Sequence, residues 1–266
     1  MRAVRPYSAL TAGVAGAVMV FVLVPVVFIV LYAFNSTAYV RLPPGAPTLR
    51  WFQSFFANKR FVAALWSSLG IAAVVTPTAI AIAVPTARAL VRYDFPGKAA
   101  FNALLLSPLV VPGVVTGIAF LSFASLLHVG SGFWPLSVAL LCFSLAFAVR
   151  ALVANMHGLD STLEDAARNL GASGPRAFLW VTLPQLRPGL LAAGVFVFVE
   201  AIDNFAIAVF LTDARTTTLP VEAFSYIRDF DDPTVAAMAV LLMALSVVLV
   251  VVVDRLVGLD RFLELR

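Results

Sequence analysis

The segment Leu159-Asp160-Ser161-Thr162-Leu163-Glu164-Asp165-Ala166-Ala167-Arg168-Asn169-Leu170-Gly171-Ala172-Ser173-Gly174-Pro175-Arg176-Ala177-Phe178-Leu179-Trp180-Val181-Thr182-Leu183-Pro184 encodes two short helices that meet at a glycine. Ser161 and Glu164 have the spacing of a capping box, in which each side chain satisfies a free donor at a helix start. Leu163, Ala166, Ala167 and Leu170 recur at i, i+3, i+4 and i+7 and so share one apolar face. Glu164 and Arg168 form an i, i+4 pair of the favoured orientation. Gly171 stands where a left-handed residue would stop the first helix. Ser173 and Pro175 then start a second helix that runs through Trp180.

On either side of this polar stretch, spanning about 154–188, the chain is strongly apolar. Of its 266 residues 62% are apolar and 12% charged, against roughly 25% charged in an ordinary soluble domain. A soluble fold would leave too much of that surface wet, whereas lipid is the solvent in which such a chain is stable. A hydrocarbon core of roughly 30 Å needs about 20 helical residues to cross it. Runs of that kind lie near Leu10–Phe34, Phe61–Val91, Ala99–Leu127, Phe133–Val153, Gly189–Leu211 and Val235–Val253. The expected fold is therefore an all-α integral membrane protein with six crossings in a single domain, 1–266. The second and third runs exceed the bilayer and are expected to tilt, kink or leave it. Arg2 and Arg5 precede the first run, but that run outlasts the roughly 7–15 apolar residues of a signal peptide, so a retained helix at 10–34 is expected.

Six crossings put both termini on one side. With the termini in the cytoplasm, 12 of the 18 Lys and Arg residues lie inside, including Arg2, Arg5, Arg88, Arg150, Arg168, Arg261 and Arg266. Arg41, Arg50, Lys59, Arg60, Arg215 and Arg228 fall outside. The positive-inside rule favours that orientation. It makes the 154–188 loop cytoplasmic and the acid-rich stretch from Asp213 to Asp232 external. The net charge of +4 comes without a basic cluster, which gives no footing for nucleic acid.

An apolar helix face outside the bilayer needs cover. It either docks in another protein's groove, which alanines at its centre would admit closely, or packs on the chain's own surface. Glu164-Asp165-Ala166-Ala167, then Gly171, then Val181-Thr182-Leu183-Pro184, resembles the EAA loop of binding-protein-dependent ATP-binding-cassette (ABC) importer permeases. The family pattern is E-A-A, three residues, G, nine residues, I-x-L-P. This chain keeps the Ala-Ala to Gly and the Gly to Leu-Pro spacings. It departs at Asp165, a variant of the polyamine-type branch, and at Val181. The resemblance covers about 61–255 and implies a type I importer permease fold in the bacterial inner membrane. It also implies a coupling helix seated in a cleft of the ATPase, with Glu164, Asp165, Ala166, Ala167, Gly171, Leu183 and Pro184 as the matching positions.

The fifth apolar run carries Glu200, Asp203 and Asn204 at i, i+3 and i+4, on one helix face. Ionised groups at mid-membrane cost roughly 2.5–3.5 kcal/mol each even on a lenient scale, so two in one span need compensation. A wet cation pathway, a contact with another helix, and a proton relay all remain open. Glu200-Ala201-Ile202-Asp203-Asn204-Phe205, followed by Thr216-Thr217-Thr218-Leu219-Pro220, is similar to the spermidine/putrescine-type permeases, with Asn204 where a second acid is common. That likeness implies a cationic solute. Permeases of the same class carry iron, thiamine or aminophosphonate. In the third run, Pro108 and Pro112 free carbonyls, and Gly113-x-x-x-Gly117 permits close helix packing.

No phosphate-binding G-x-x-x-x-G-K-[ST] motif occurs, and the single Gly-Lys pair, Gly97-Lys98, is followed by Ala99. Catalytic residues and cofactors are not expected. Hydrolysis is expected on separate ATPase subunits, two copies per importer, beside a second permease and an external solute-binding protein. A proton-coupled secondary transporter would call for an inverted repeat, which is not visible, and an intramembrane enzyme for a nucleophile–base set. His128, His157 and lone Cys142 lie apart, so neither a metal site nor a disulfide is expected.

Overall fold

The computed structural model describes residues 9–38 and 46–257, and the regular elements among them are all helical. In chain order these are α1 (Ala9–Ala33), α2 (Arg50–Ala57), α3 (Lys59–Arg92), α4 (Lys98–Val110), α5 (Gly113–Leu126), α6 (Phe133–His157), α7 (Thr162–Asn169) and α8 (Gly174–Ala177). A π-helical turn, Phe178–Thr182, leads to α9 (Leu183–Gln185), α10 (Arg187–Asp203), α11 (Phe205–Leu211), α12 (Leu219–Asp229) and α13 (Thr234–Val257). Arg2, Arg5, Arg41, Arg261 and Arg266, used above to orient the chain, lie outside the described residues.

Among the described residues, four helices are long and apolar enough to cross a membrane, and two bent pairs bring the number of crossings to as many as six. The first bent pair is the third apolar run. It is two helices, α4 and α5, set at 107°. Pro112 has no N–H to continue a helix and drives the preceding residue into an extended conformation, and Val111 sits at φ −81°, ψ 127°. The second is the α8–α9 segment with α10, bent by 70°, where Pro184 and Pro188 withhold two amides in five residues. The fifth run, expected as one helix, also breaks, between α10 and α11 at Asn204.

Contacts divide the chain into two compact units. One joins the residues up to Lys59 with Ser225–Leu245. Its core is Ala33, Trp51 and Ala237, with Phe34, Phe52 and Val240 packed around them. The Trp51 indole N–H donates to the Asn35 carbonyl at 2.7 Å, which satisfies a buried donor. Asp232 accepts from the Tyr226 hydroxyl at 2.7 Å and from the Thr234 N–H at 2.8 Å, capping α13.

The other unit holds Arg60–Phe224 and the end of α13. In α3, Phe61, Ala64, Ser68, Ile71, Val75, Ala79, Ala83 and Ala87 are buried at helical spacing, a stripe that narrows to alanine toward its C-terminal half. Helix α10 packs along α6, and Gly189 brings the two backbones together, since a Cβ there would lie 2.7 Å from the Asn155 side chain. Helix α5 packs against α11. A Cβ on Gly113 would sit 3.0 Å from Ala206, and one on Gly117 would sit 2.8 Å from Phe210 and 3.1 Å from the Ile207 Cα. The Gly-x-x-x-Gly spacing is thus used for close packing, as expected.

Candidate functional site

Two places in the larger unit combine charge with interrupted helix. The first is the 159–186 loop. Helix α7 ends as expected: Gly171 adopts φ +93°, its N–H bonds the Arg168 carbonyl, and the Ala172 N–H bonds that of Ala167. Both bonds of the Schellman arrangement are therefore present.

The start of α7 differs from expectation. Ser161 makes no cap, and the first free donor, the Thr162 N–H, goes to Asp160 at 2.9 Å. That hydrogen bond, helped by the Thr162 side chain and by nearby Arg92, holds the Asp160 carboxyl below the usual carboxylate range. Glu164 takes no part in a capping box or in a pair with Arg168. It turns inward, leaving 9% of the residue exposed, and each of its oxygens is engaged by another element. Oε1 lies 2.6 Å from Arg88 Nη2 on α3, and Oε2 accepts from the Thr182 hydroxyl at 2.6 Å. The partly buried Arg88 outcompetes the exposed Arg168 because its surroundings screen it less. The Arg88 guanidinium also lies over the Phe178 ring at 4.1 Å. Arg88, Thr182 and Phe178 were not legible as site residues, since they lie 76, 18 and 14 positions from Glu164.

The apolar face of α7 points the other way. Leu163 is 50% exposed and Leu170 89%, Ala166 is exposed, and Trp180 beyond the glycine is 81% exposed. Of the two ways that face could be covered, packing on the chain's own surface is not the one observed. The second short helix does not stop at Trp180. It continues through the π-helical turn and Leu183–Gln185, so Leu183 and Pro184 are helical and lead directly toward α10. The carbonyls near Pro184 need other donors, and Gln185 Nε2 supplies one to Val181 at 2.9 Å.

The second place is the break at Asn204. The Asn204 side-chain oxygen accepts from the Ile207 N–H at 2.9 Å and caps α11, while its backbone N–H still bonds the Glu200 carbonyl. Asparagine is among the preferred capping residues. Its Nδ2 donates to Glu200 Oε1 at 2.7 Å. Glu200 and Asp203 therefore lie on the last turn of α10, and Asn204, next in the chain, ends that helix and begins α11. Glu200 is thus engaged through one of its two oxygens. Asp203 is exposed, and it has no hydrogen bond or ion pair among the described residues. The signal was available in the sequence: an Asp-Asn pair inside an apolar run is also a helix-start signal. No group of three or more potential metal-ligating side chains occurs among the described residues.

With this geometry in place, comparisons place the chain among known proteins. Residues 79–259 match the family described as "Binding-protein-dependent transport system inner membrane component". The putrescine transport system permease protein PotI of Escherichia coli K12 is 30% identical over 84% of this chain and 82% of its own length. The spermidine/putrescine permease PotC of the same organism is 29% identical over 95% of each. The trehalose permease SugB of Mycobacterium tuberculosis is 29% identical over 88% of this chain and 89% of its own. Among solved structures, a bacterial ABC transporter that imports the acidic polysaccharide alginate superposes with TM-score 0.71 at 12% identity, covering 94% of this chain and 95% of that one. The inward-facing MetNI methionine transporter gives 0.63 at 20% identity over 74% and 94%. At those identities the likeness is one of fold.

Proposed function

The chain belongs to the binding-protein-dependent transport system inner membrane component family, the permease subunits of ABC importers, and on that premise we propose that it imports a cationic small solute, a polyamine such as spermidine or putrescine. The observation that carries the choice of solute is Asp203, an exposed carboxylate without a partner among the described residues, at a helix break inside an apolar span. An exposed, unsatisfied carboxylate in a bilayer is costly unless it lines water and meets a cation. Kinship with PotI and PotC supports the reading, while SugB and the alginate importer, with neutral and acidic cargo in their names, leave overall similarity short of deciding it.

The mechanism follows from the other site. Hydrolysis belongs to a separate ATPase subunit. With both termini cytoplasmic, α7 offers Leu163, Ala166 and Leu170 to a groove on one of two such subunits, the second permease serving the other. Glu164, turned inward, fixes α7 to the body of the permease, and Asp165, on the exposed side, is free to meet the partner. A binding protein delivers the solute from outside, closure of the ATPases moves α7, and the pathway between this chain and a second permease opens alternately to each side. The test is uptake of radiolabelled spermidine by the assembled importer with putrescine, trehalose and sulfate as competitors. Competition by putrescine alone is expected, and competition by trehalose or sulfate would overturn the solute assignment.

A further inference from the structure

Arg88 has no counterpart in the EAA pattern, yet it is the point where three parts of the molecule meet. It stands four residues before the end of α3. It contacts Glu164 on α7 at 2.6 Å and the Phe178 ring at 4.1 Å, and the same carboxylate is held from its other oxygen by Thr182. Phe178 and Thr182 bound the π-helical turn that runs through Leu186 into α10, the helix that carries Glu200 and Asp203. We propose that Arg88 is the positioning residue through which movement of α7 is delivered to span α3, and that without it the ATPase turns over while the span stays still. The inference rests on the docking role of α7 proposed above.

Three observations support it. The α7 helix is only eight residues long, between Gly158 and Gly171, and its apolar face is turned outward, so it has few side-chain attachments to the bundle. A helix held mainly by a polar node transmits force through that node. Next, an ion pair with only 19% and 11% of its two side chains exposed adds little net stability against an apolar replacement but favours one register, because another position would separate the charges. Finally, Arg88 Nε is buried and has no acceptor. The pair is single-toothed as it stands, and the guanidinium fork holds an unused donor beside the used one. A small shift of α7 would give the carboxylate a second bond, and that would supply the second discrete arrangement a switching contact requires.

The experiment uses the complete importer, permeases with ATPase subunits, in lipid nanodiscs. Spin labels are placed at Ile82 on α3 and Val138 on α6, both exposed, in a Cys142→Ser background, and their separation is measured with and without ATP. This readout needs no knowledge of the solute. The expected result is an ATP-dependent shift in the parent that is lost in Arg88→Gln while ATP hydrolysis persists. It is regained when Arg88→Glu is combined with Glu164→Arg. Arg88→Lys, which keeps the charge but not the planar two-nitrogen fork, should show a reduced shift. A full shift in Arg88→Gln, no shift in the parent, or failure of the exchanged pair to recover any of it would each overturn the proposal. If Arg88→Gln does not assemble, Arg88→Lys and Thr182→Val decide, and parental shifts in both would overturn it. Copurification of the ATPase with the parent permease is scored separately. Its absence removes the docking role itself, whereas its presence with an unchanged shift in Arg88→Gln removes only Arg88.

Discussion

Glu164 and Asp203 are carboxylates at helix interruptions in the same compact unit, and their surroundings are opposite. Glu164 is buried, and both of its oxygens are engaged, one by a guanidinium and one by a hydroxyl. Asp203 is exposed and has neither kind of partner among the described residues. A carboxylate whose bonding capacity is consumed inside the protein organises the protein, and one left open can hold something else. The family motif alone would place Glu164 toward the ATPase, whereas the structure turns it toward α3 and presents the neighbouring apolar side chains instead.

The contrast can be broken by mutation at either end. The largest effect is expected for Glu164→Ala. It leaves the largely covered Arg88 charge without its partner, a change that costs at most about 3–5 kcal/mol. The assembled importer should lose thermal stability and solute imported per ATP, whereas Glu164→Ala with Arg88→Met should recover stability without recovering transport. Asp203→Asn comes next. The side chain is exposed, so folding should be untouched, but loss of a charge-assisted contact worth about 1.5–3 kcal/mol should lower apparent affinity for spermidine about 10- to 100-fold. Unchanged uptake kinetics would take Asp203 out of the pathway.

Gly117→Ala tests whether the break at Asn204 is held in place by close packing. The new Cβ would meet the Ile207 backbone at 3.1 Å, and overpacking of this kind costs about 1–3 kcal/mol. Gly113→Ala, with a 3.0 Å approach to a side chain only, should cost less, and the difference is measurable as the relative thermal stability of the two variants. The smallest effect is expected at Gly171→Ala. A non-glycine residue at φ +93° costs about 1–2 kcal/mol, and α7 sits at the surface where part of the strain can relax. A slight loss of stability with a visible loss of coupling is the expected pattern.

How far the sequence reached differs between these regions for physical reasons. The spans and the α7 stop at Gly171 were legible because hydrophobic length and a left-handed glycine are local properties. The 107° turn at Pro112 was legible as a kink but not in its size, because a proline removes a bond without setting the angle that packing then chooses. The capping box at Ser161 and the Glu164–Arg168 pair were locally reasonable. They gave way to Arg88, a partner 76 residues distant that only the fold brings near. Glu200 and Asn204 do pair, at the end of α10 and beside Asp203. Their arrangement was missed because helical periodicity assumes an unbroken helix, and the cap that Asn204 gives to Ile207 ends one helix and begins the next.

The docking role of α7 is tested most directly by cysteine crosslinking in inside-out vesicles that hold the whole importer, with Leu170→Cys in a Cys142→Ser background. A short bifunctional reagent should join Leu170→Cys to the ATPase subunit in an ATP-dependent manner, while a cysteine at Thr217, beyond α11, should remain unjoined. Labelling of the Leu170→Cys thiol by an impermeant reagent from the outer side of intact cells, or its failure to reach the ATPase in vesicles that hydrolyse ATP, would contradict the account.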